Sequence, residues 1–289
     1  MPPIPPYTVS RPHAHDTPVV FSSPHSGRDY PAALLRDTVL DPLALRSSED
    51  AFVDDLFGAA TACGAPLIAA TAPRAWIDVN RARDELDPSL IRGVPHRPFG
   101  VRVASGLGVI PRVVANGRAI YARKLSRAEA EARIAAIWLP YHAALERLMD
   151  AAQARFGCAI LIDCHSMPPE ALDGTRFPAG RPDVVLGDRF GAAAAPWVTR
   201  GVEAAFRAEG FAVLRNMPFA GAHIAERHGA PARGRHVVQV EIDRALYLDP
   251  SSVAPGPGYD RLRARLDRVV AAIATLGRAS PAAVPMAAE

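Results

Sequence analysis

Short apolar runs, each closed by a turn or a polar cluster, alternate along the chain with stretches of three- and four-residue hydrophobic spacing. The run at 18–23 leads into Pro24-His25-Ser26-Gly27, and the run at 159–163 into Cys164-His165-Ser166. Others lie at 183–187, 211–215 and 236–242, with a weaker one at 66–70. Continuous apolar runs of this length predict strands buried on both faces. The intervening periodicity predicts helices over 48–62, 126–156, 189–209 and 259–276. The first carries Phe52, Val53, Leu56, Phe57 and Ala60 on one face, and the second is broken or kinked at Pro140. Such alternation implies an α/β fold whose sheet is covered on both sides. From 84 to 118 the chain is rich in Gly, Pro and Arg and has little period, which predicts a long excursion carrying loops near a site.

Composition narrows the possibilities. With 49% hydrophobic and 22% charged residues among 289, a sizeable core is available and wholesale disorder is excluded. The length allows one large domain or two small ones, and the even alternation favours a single catalytic domain with a core over about 15–277 and flexible ends. No apolar run is long enough for a membrane span. The proline-rich start lacks the pattern of a secretory signal, and Cys63, Cys158 and Cys164 are too scattered for a disulfide framework. A reducing cytoplasm is therefore expected. The net charge of +3 comes from dispersed residues, with Lys124 the only lysine and no basic run, so a nucleic-acid partner is not expected. No glycine-rich phosphate loop is present; Gly106-Leu107-Gly108 is followed by Pro111 where a third glycine would stand.

Candidate chemistry lies where strands end, because ligands of open α/β sheets bind outside the carboxyl ends of the strands. His25 and His165 occupy equivalent positions there, either as capping or core residues or as a pair of metal ligands. A hydrolytic zinc site adds a third ligand, commonly a carboxylate, and keeps one position open. Asp50 and Glu49 open the helix predicted at 48–62, although Ser47-x-x-Asp50 also fits a capping box. Glu241 stands in an otherwise apolar strand, where a carboxylate is costly unless it is paired or part of a site. It is either a proton acceptor beside a metal or an ion-pair partner of Arg244 or Arg235. Arg81 and Arg83, after Trp76-Ile77-Asp78-Val79-Asn80, suit a bidentate grip on a carboxylate or local surface salt bridges. Cys164 points away from its neighbour His165 on an extended chain, so the two make no catalytic dyad.

Several segments together resemble the N-formylglutamate amidohydrolases. They are Ser23-Pro24-His25-Ser26-Gly27, Asp78-Val79-Asn80-Arg81, Pro140-Tyr141-His142, Asp163-Cys164-His165-Ser166, Asn216-Met217-Pro218-Phe219-Ala220-Gly221 with His228-Gly229, and Val240 through Asp249. They occur in order over most of the chain. That family is similar to the zinc carboxypeptidases and aspartoacylases, which implies a three-layer α/β/α architecture with a mixed, mostly parallel central sheet. The resemblance implies zinc on His25 and His165, with Asp50 as the carboxylate ligand and Glu49 as the fallback. The relatives' glutamate three residues after the first histidine falls on Arg28, which cannot ligate. Glu241 corresponds to the general base, and Asn80 and Arg81 to the pair that holds a substrate carboxylate. Arg83 is then a candidate for a second carboxylate, His223 for the developing oxyanion, and His228 for a further substrate contact. The implied reaction is zinc-dependent hydrolysis of N-formyl-L-glutamate to formate and L-glutamate, a step of histidine degradation. The partner would be a small N-acyl amino acid. Hydrolysis of a different N-acyl amino acid, or metal-free carboxylate binding, are the alternatives.

Overall fold

The apolar runs assemble side by side in a computed structural model that describes residues 5–95, 100–173, 177 and 180–278. The strands of the main sheet are β1 (Tyr7–Ser10), β2 (Val19–Ser23), β3 (Leu67–Ala70), β4 (Ala159–Met167), β5 (Val184–Gly187), β6 (Val213–Arg215) and β7 (Arg235–Asp243), with a small separate pair at Leu248–Asp249 and Ala254–Pro255. The main sheet has the order β1-β3-β2-β4-β7-β5-β6. Neighbours from β3 through β7 run parallel, as do β5 and β6, while β1 and β5 pair antiparallel with β3 and β7. The sheet is thus mixed and mostly parallel. β1 adds an edge strand that four residues among prolines did not reveal in the sequence.

The helices are α1 (Ala32–Asp37), α2 (Pro42–Arg46), α3 (Val53–Leu56), α4 (Val101–Ala104), α5 (Arg127–Arg133), α6 (Leu139–Phe156), α7 (Pro196–Ala208), α8 (His223–His228) and α9 (Tyr259–Ile273). Strand alternation decides which layer each packs against. Val20, Leu161 and Val237 face the layer containing Tyr141, Leu145 and Met149 of α6. Val19, Phe21, Ile160, Ile162 and Val238 face α3, α7 and α9 through Leu56, Val202, Phe206 and Leu266. Burying each such side chain contributes roughly 1.5–3 kcal/mol, so the two cores clamp the sheet from both sides.

Three predicted helices differ in detail. The one expected at 48–62 begins only at Val53, because the Asp50 N–H donates to the His25 carbonyl (3.0 Å) and Phe52 turns left-handed (φ 63°). Ser47 bonds back to the Ala44 carbonyl, so no capping box joins it to Asp50. The helix expected at 126–156 is capped by Ser126 and Glu129, and widens to a π turn at Ile134–Trp138 just before Pro140, whose missing N–H leaves the regular ladder incomplete. The helix expected at 189–209 starts at Pro196, since Arg189 and Phe190 both have positive φ.

Candidate metal centre and its cavity

β2, β4 and β7 are neighbours, so their carboxyl ends open into one crevice. β2 delivers His25 two residues beyond Ser23, on a turn that passes tightly under Thr71 and Ala72. A Cβ on Gly27 would lie 2.2 Å from the Ala72 carbonyl oxygen, which only glycine avoids. β4 extends past its predicted end and presents Asp163 and His165 on one face, while Cys164 turns into the opposite core. The register sets Glu241 of β7 directly across from His165.

His25 and His165 meet through their Nδ1 atoms, 3.1 Å apart, and Asp50 Oδ2 lies 3.3 Å from the first and 2.9 Å from the second. One ligand atom from each of the three residues lies within 4.8 Å of the others, and all three are buried. The opposite ring nitrogens are held by carboxylates. His25 Nε2 donates to Asp78 (2.7 Å) and His165 Nε2 to Asp163 (3.0 Å). A carboxylate has no hydrogen to give, so in the neutral rings both Nε2 atoms carry the proton and both Nδ1 lone pairs face Asp50. In that neutral form the three acceptors, aimed at one point, are a donor set for a cation that would take the place of protons. Two imidazole nitrogens and one carboxylate oxygen suit zinc, and carboxylate–imidazole pairs are the usual support of such ligands. Glu49, the fallback ligand, is turned away to Tyr30 and Arg46 (2.5 and 3.1 Å). Arg28 turns to Asp54.

The electrostatics point the same way. Burial pulls the His165 imidazole down, but Asp163, Asp50 and Glu241 outweigh it and hold its pKa well above the ordinary value. Burial also raises Asp50, yet the adjoining imidazoles of His165 and His25 and the charge of Arg244 bring it well below the carboxylate range. Negative charge therefore surrounds the meeting point of the rings and calls for a positive charge there.

Glu241 is buried and its carboxyl is raised, first by burial and further by Asp50, against the pull of His165 and Arg74. It forms neither of the ion pairs open to it from sequence: Arg244 binds Asp50 (2.8 Å), and Arg235 binds Glu146 and Asp150. Its partner is Gln239, whose Nε2 donates to Glu241 Oε1 (2.8 Å). The Gln239 oxygen accepts the Ala222 N–H (2.9 Å), which fixes the amide's orientation.

These groups lie at the base of a cavity of about 470 Å³. Its other wall comes from the irregular excursion, through Arg102, Ser105, Leu107 and Val113–Gly117. Asn80 and Arg81 also line it, but the Asn80 side chain is fully engaged: Oδ1 accepts from Ile224 N–H (2.7 Å), and Nδ2 lies 3.4 Å from Asp163 and 3.1 Å from His165 Nε2. Arg81 donates to the Leu107 and Asn80 carbonyls (3.0 and 2.9 Å). Arg83 is exposed and outside the cavity wall, so the excursion turns it to solvent rather than toward a ligand. His223 and His228 are likewise not in the wall. They pack behind it around His142, with ring centroids 5.5 Å from it in each case. Sequence reasoning missed Arg74 and Arg102 in the wall, and the imidazole partners Asp78 and Asp163. The spacing Asp163-x-His165 on a strand was the available signal for the last, since residues two apart share a face.

The model of the N-formylglutamate amidohydrolase family matches residues 17–248. N-formylglutamate deformylase of Pseudomonas aeruginosa is 30% identical over 238 residues, covering 80% of this chain and 82% of its own. That of Pseudomonas putida is 28% identical over 243 residues, covering 82% and 84%. The crystal structure of N-formylglutamate amidohydrolase from Ralstonia eutropha JMP134 superposes with a TM-score of 0.87 at 37% identity, over 94% of this chain and 98% of that one. A gene product of Agrobacterium tumefaciens shares the fold, with a TM-score of 0.60 at 19% identity over 92% and 93% of the two chains.

Proposed function

The chain belongs to the N-formylglutamate amidohydrolase family, and on that premise we propose that it hydrolyses N-formyl-L-glutamate to formate and L-glutamate with a zinc ion held by His25, Asp50 and His165. The observation that carries this reading is the convergence of three bare acceptor atoms under a cavity that also holds Glu241. Bound there, zinc would supply Lewis-acid polarisation of the formyl oxygen and of water.

The residues of the chain have separable tasks. Glu241, with Oε1 occupied by Gln239, takes a proton from the attacking water through its other oxygen. Water oxygen bonds to the formyl carbon, the C–N bond breaks, and the same carboxyl returns the proton to the leaving nitrogen. A carboxyl raised by burial is better matched to this exchange near neutral pH than an ordinary one. Arg74 lies in the wall with its Nε bonded to Asp78 (2.9 Å) and takes the oxyanion-stabilising role, His223 not being among the residues that line the cavity. Arg81 grips a substrate carboxylate, whereas Asn80 acts by holding Asp163 and the first turn of α8 through Ile224 N–H. The route of histidine degradation is where such a substrate arises, and the cytoplasm is its place. No described helix is long and apolar enough to cross a membrane.

A panel of formyl, acetyl and succinyl groups on Glu, Asp and Gln tests the substrate. Formate from N-formyl-L-glutamate should appear with the highest kcat/KM. Faster release from another member reassigns the substrate, and no release by zinc-loaded protein leaves only the carboxylate-binding reading.

A further inference from the structure

Four arginines line the cavity, Arg74, Arg81, Arg102 and Arg244, against only two acids, Asp50 and Glu241. Arg244 is neutralised by Asp50 (2.8 Å) and Arg74 by Asp78 (2.9 Å). Arg81 stands 4.0 Å from Asp78 and spends Nε and Nη1 on carbonyl oxygens, so among the described residues its Nη2 has no hydrogen-bond partner. Arg102 has neither an ion-pair nor a side-chain hydrogen-bond partner among the described residues. The surplus of positive charge therefore lies on the side of the cavity built by Arg81 and α4.

These two arginines are coupled through the backbone of the excursion. Arg81 Nε donates to the Leu107 carbonyl, and the Leu107 N–H donates to the Arg102 carbonyl (2.8 Å). Arg81 connects inward, since Asp78 beside it holds His25. Arg102 is exposed where Arg81 is buried, and so stands toward solvent. An acyl amino acid whose amide carbonyl sits at the metal ligands carries its α-carboxylate close to the scissile bond and any side-chain carboxylate farther out. One guanidinium only loosely paired, by Asp78 at 4.0 Å, followed by one with no described partner, matches two carboxylates in succession.

We propose that Arg102 recognises the side-chain carboxylate of the substrate and sets the preference for an acidic acyl amino acid, with Arg81 on the α-carboxylate. The assignment rests on the hydrolase reading above and names the specificity residue of that site. Burial, with the nearby charges of Arg74 and Arg102, pushes the Arg81 guanidinium down against the pull of Asp78, as expected where cations wait for an anionic ligand.

The test compares kcat/KM for N-formyl-L-glutamate with that for its neutral isostere N-formyl-L-glutamine in the zinc-loaded wild type, Arg102→Gln and Arg102→Lys. Charge-assisted bonds of this kind predict that Arg102→Gln shrinks the glutamate-over-glutamine preference by about 10–100-fold, carried by KM rather than kcat, with part of it recovered in Arg102→Lys. Thermal melting of each variant checks that folding is intact. If the wild type discriminates and Arg102→Gln discriminates equally, or if the variant loses both substrates alike, the assignment of Arg102 is overturned while the hydrolase reading stands. If the zinc-loaded wild type releases formate from neither compound, the hydrolase reading falls and this assignment with it.

Discussion

Asp78 and Asp163 turn two ordinary histidines into a matched pair. By accepting the Nε2 hydrogens they leave each Nδ1 free to act as a donor toward the same point. Neither acid is exposed by more than 1%, so both depend on these bonds and on Ser22, Arg74 and Asn80 for their charge to be tolerated. Among the described residues Glu241 has no cationic hydrogen-bond partner, which suits the proton-carrying role proposed for it. Glu241→Gln removes the basic oxygen while preserving shape and leaves His25, Asp50 and His165 untouched. Both it and the wild type should bind about one zinc per chain, and the variant should lose about 10²–10⁴-fold in kcat. Unchanged turnover in the zinc-loaded variant would remove Glu241 from the mechanism. At this scale the sequence was informative where chemistry is unusual for its setting: a glutamate in an apolar strand, and histidines after two strands. It was uninformative about Asp78, whose meeting with His25 is made only by the tertiary fold. It could not say which way Arg83 turns, because spacing along an irregular loop does not fix a side chain's direction.

Helix α6 and the π turn before it carry Trp138, His142 and Glu146 four residues apart, on one face. That face supports the segment that holds the site. Trp138 Nε1–H donates to the Arg81 carbonyl (2.8 Å) and His142 Nε2–H to the Val79 carbonyl (2.8 Å). His142 Nδ1 in turn accepts from His228 Nε2 (3.2 Å). Burial, with His228 close by, lowers the His142 pKa to about 2, against 6.5 for the ordinary group. Below pH 6.5 the unfolded chain takes up a proton that the folded one refuses. The stabilisation is therefore complete above 6.5 and is lost as pH falls, at up to about 1.4 kcal/mol per unit. Urea midpoints should fall between pH 7 and 4.5, and less steeply in His142→Gln, which keeps a donor for Val79 but does not titrate there. Equal slopes would contradict this role. The elements themselves were legible wherever period and length agreed, as in α6 and α9. The stretch 48–62 was legible only as an apolar face. Val53, Leu56, Phe57 and Ala60 are indeed buried, but the bond from Asp50 to the His25 turn delays the helix, and no local pattern encodes that bond.

Across the whole molecule, the sheet supplies the rigid ends on which His25, Asp163, His165 and Glu241 stand, and the excursion supplies the opposite wall and its arginines. The layered α/β plan could be read from alternation alone, and the ordered motifs made the family legible. The reversed direction of β5 and the short edge strand β1 could not be read, since both depend on pairing rather than on apolar content. On the proposed reading, hydrolysis takes place where His25, Asp50 and His165 would hold a metal ion. This claim is tested most directly by following formate release from N-formyl-L-glutamate after exhaustive chelation and during titration with zinc. Activity that vanishes on chelation and returns in full near one zinc per chain is the expected result. Undiminished deformylation by the metal-free protein would contradict the claim.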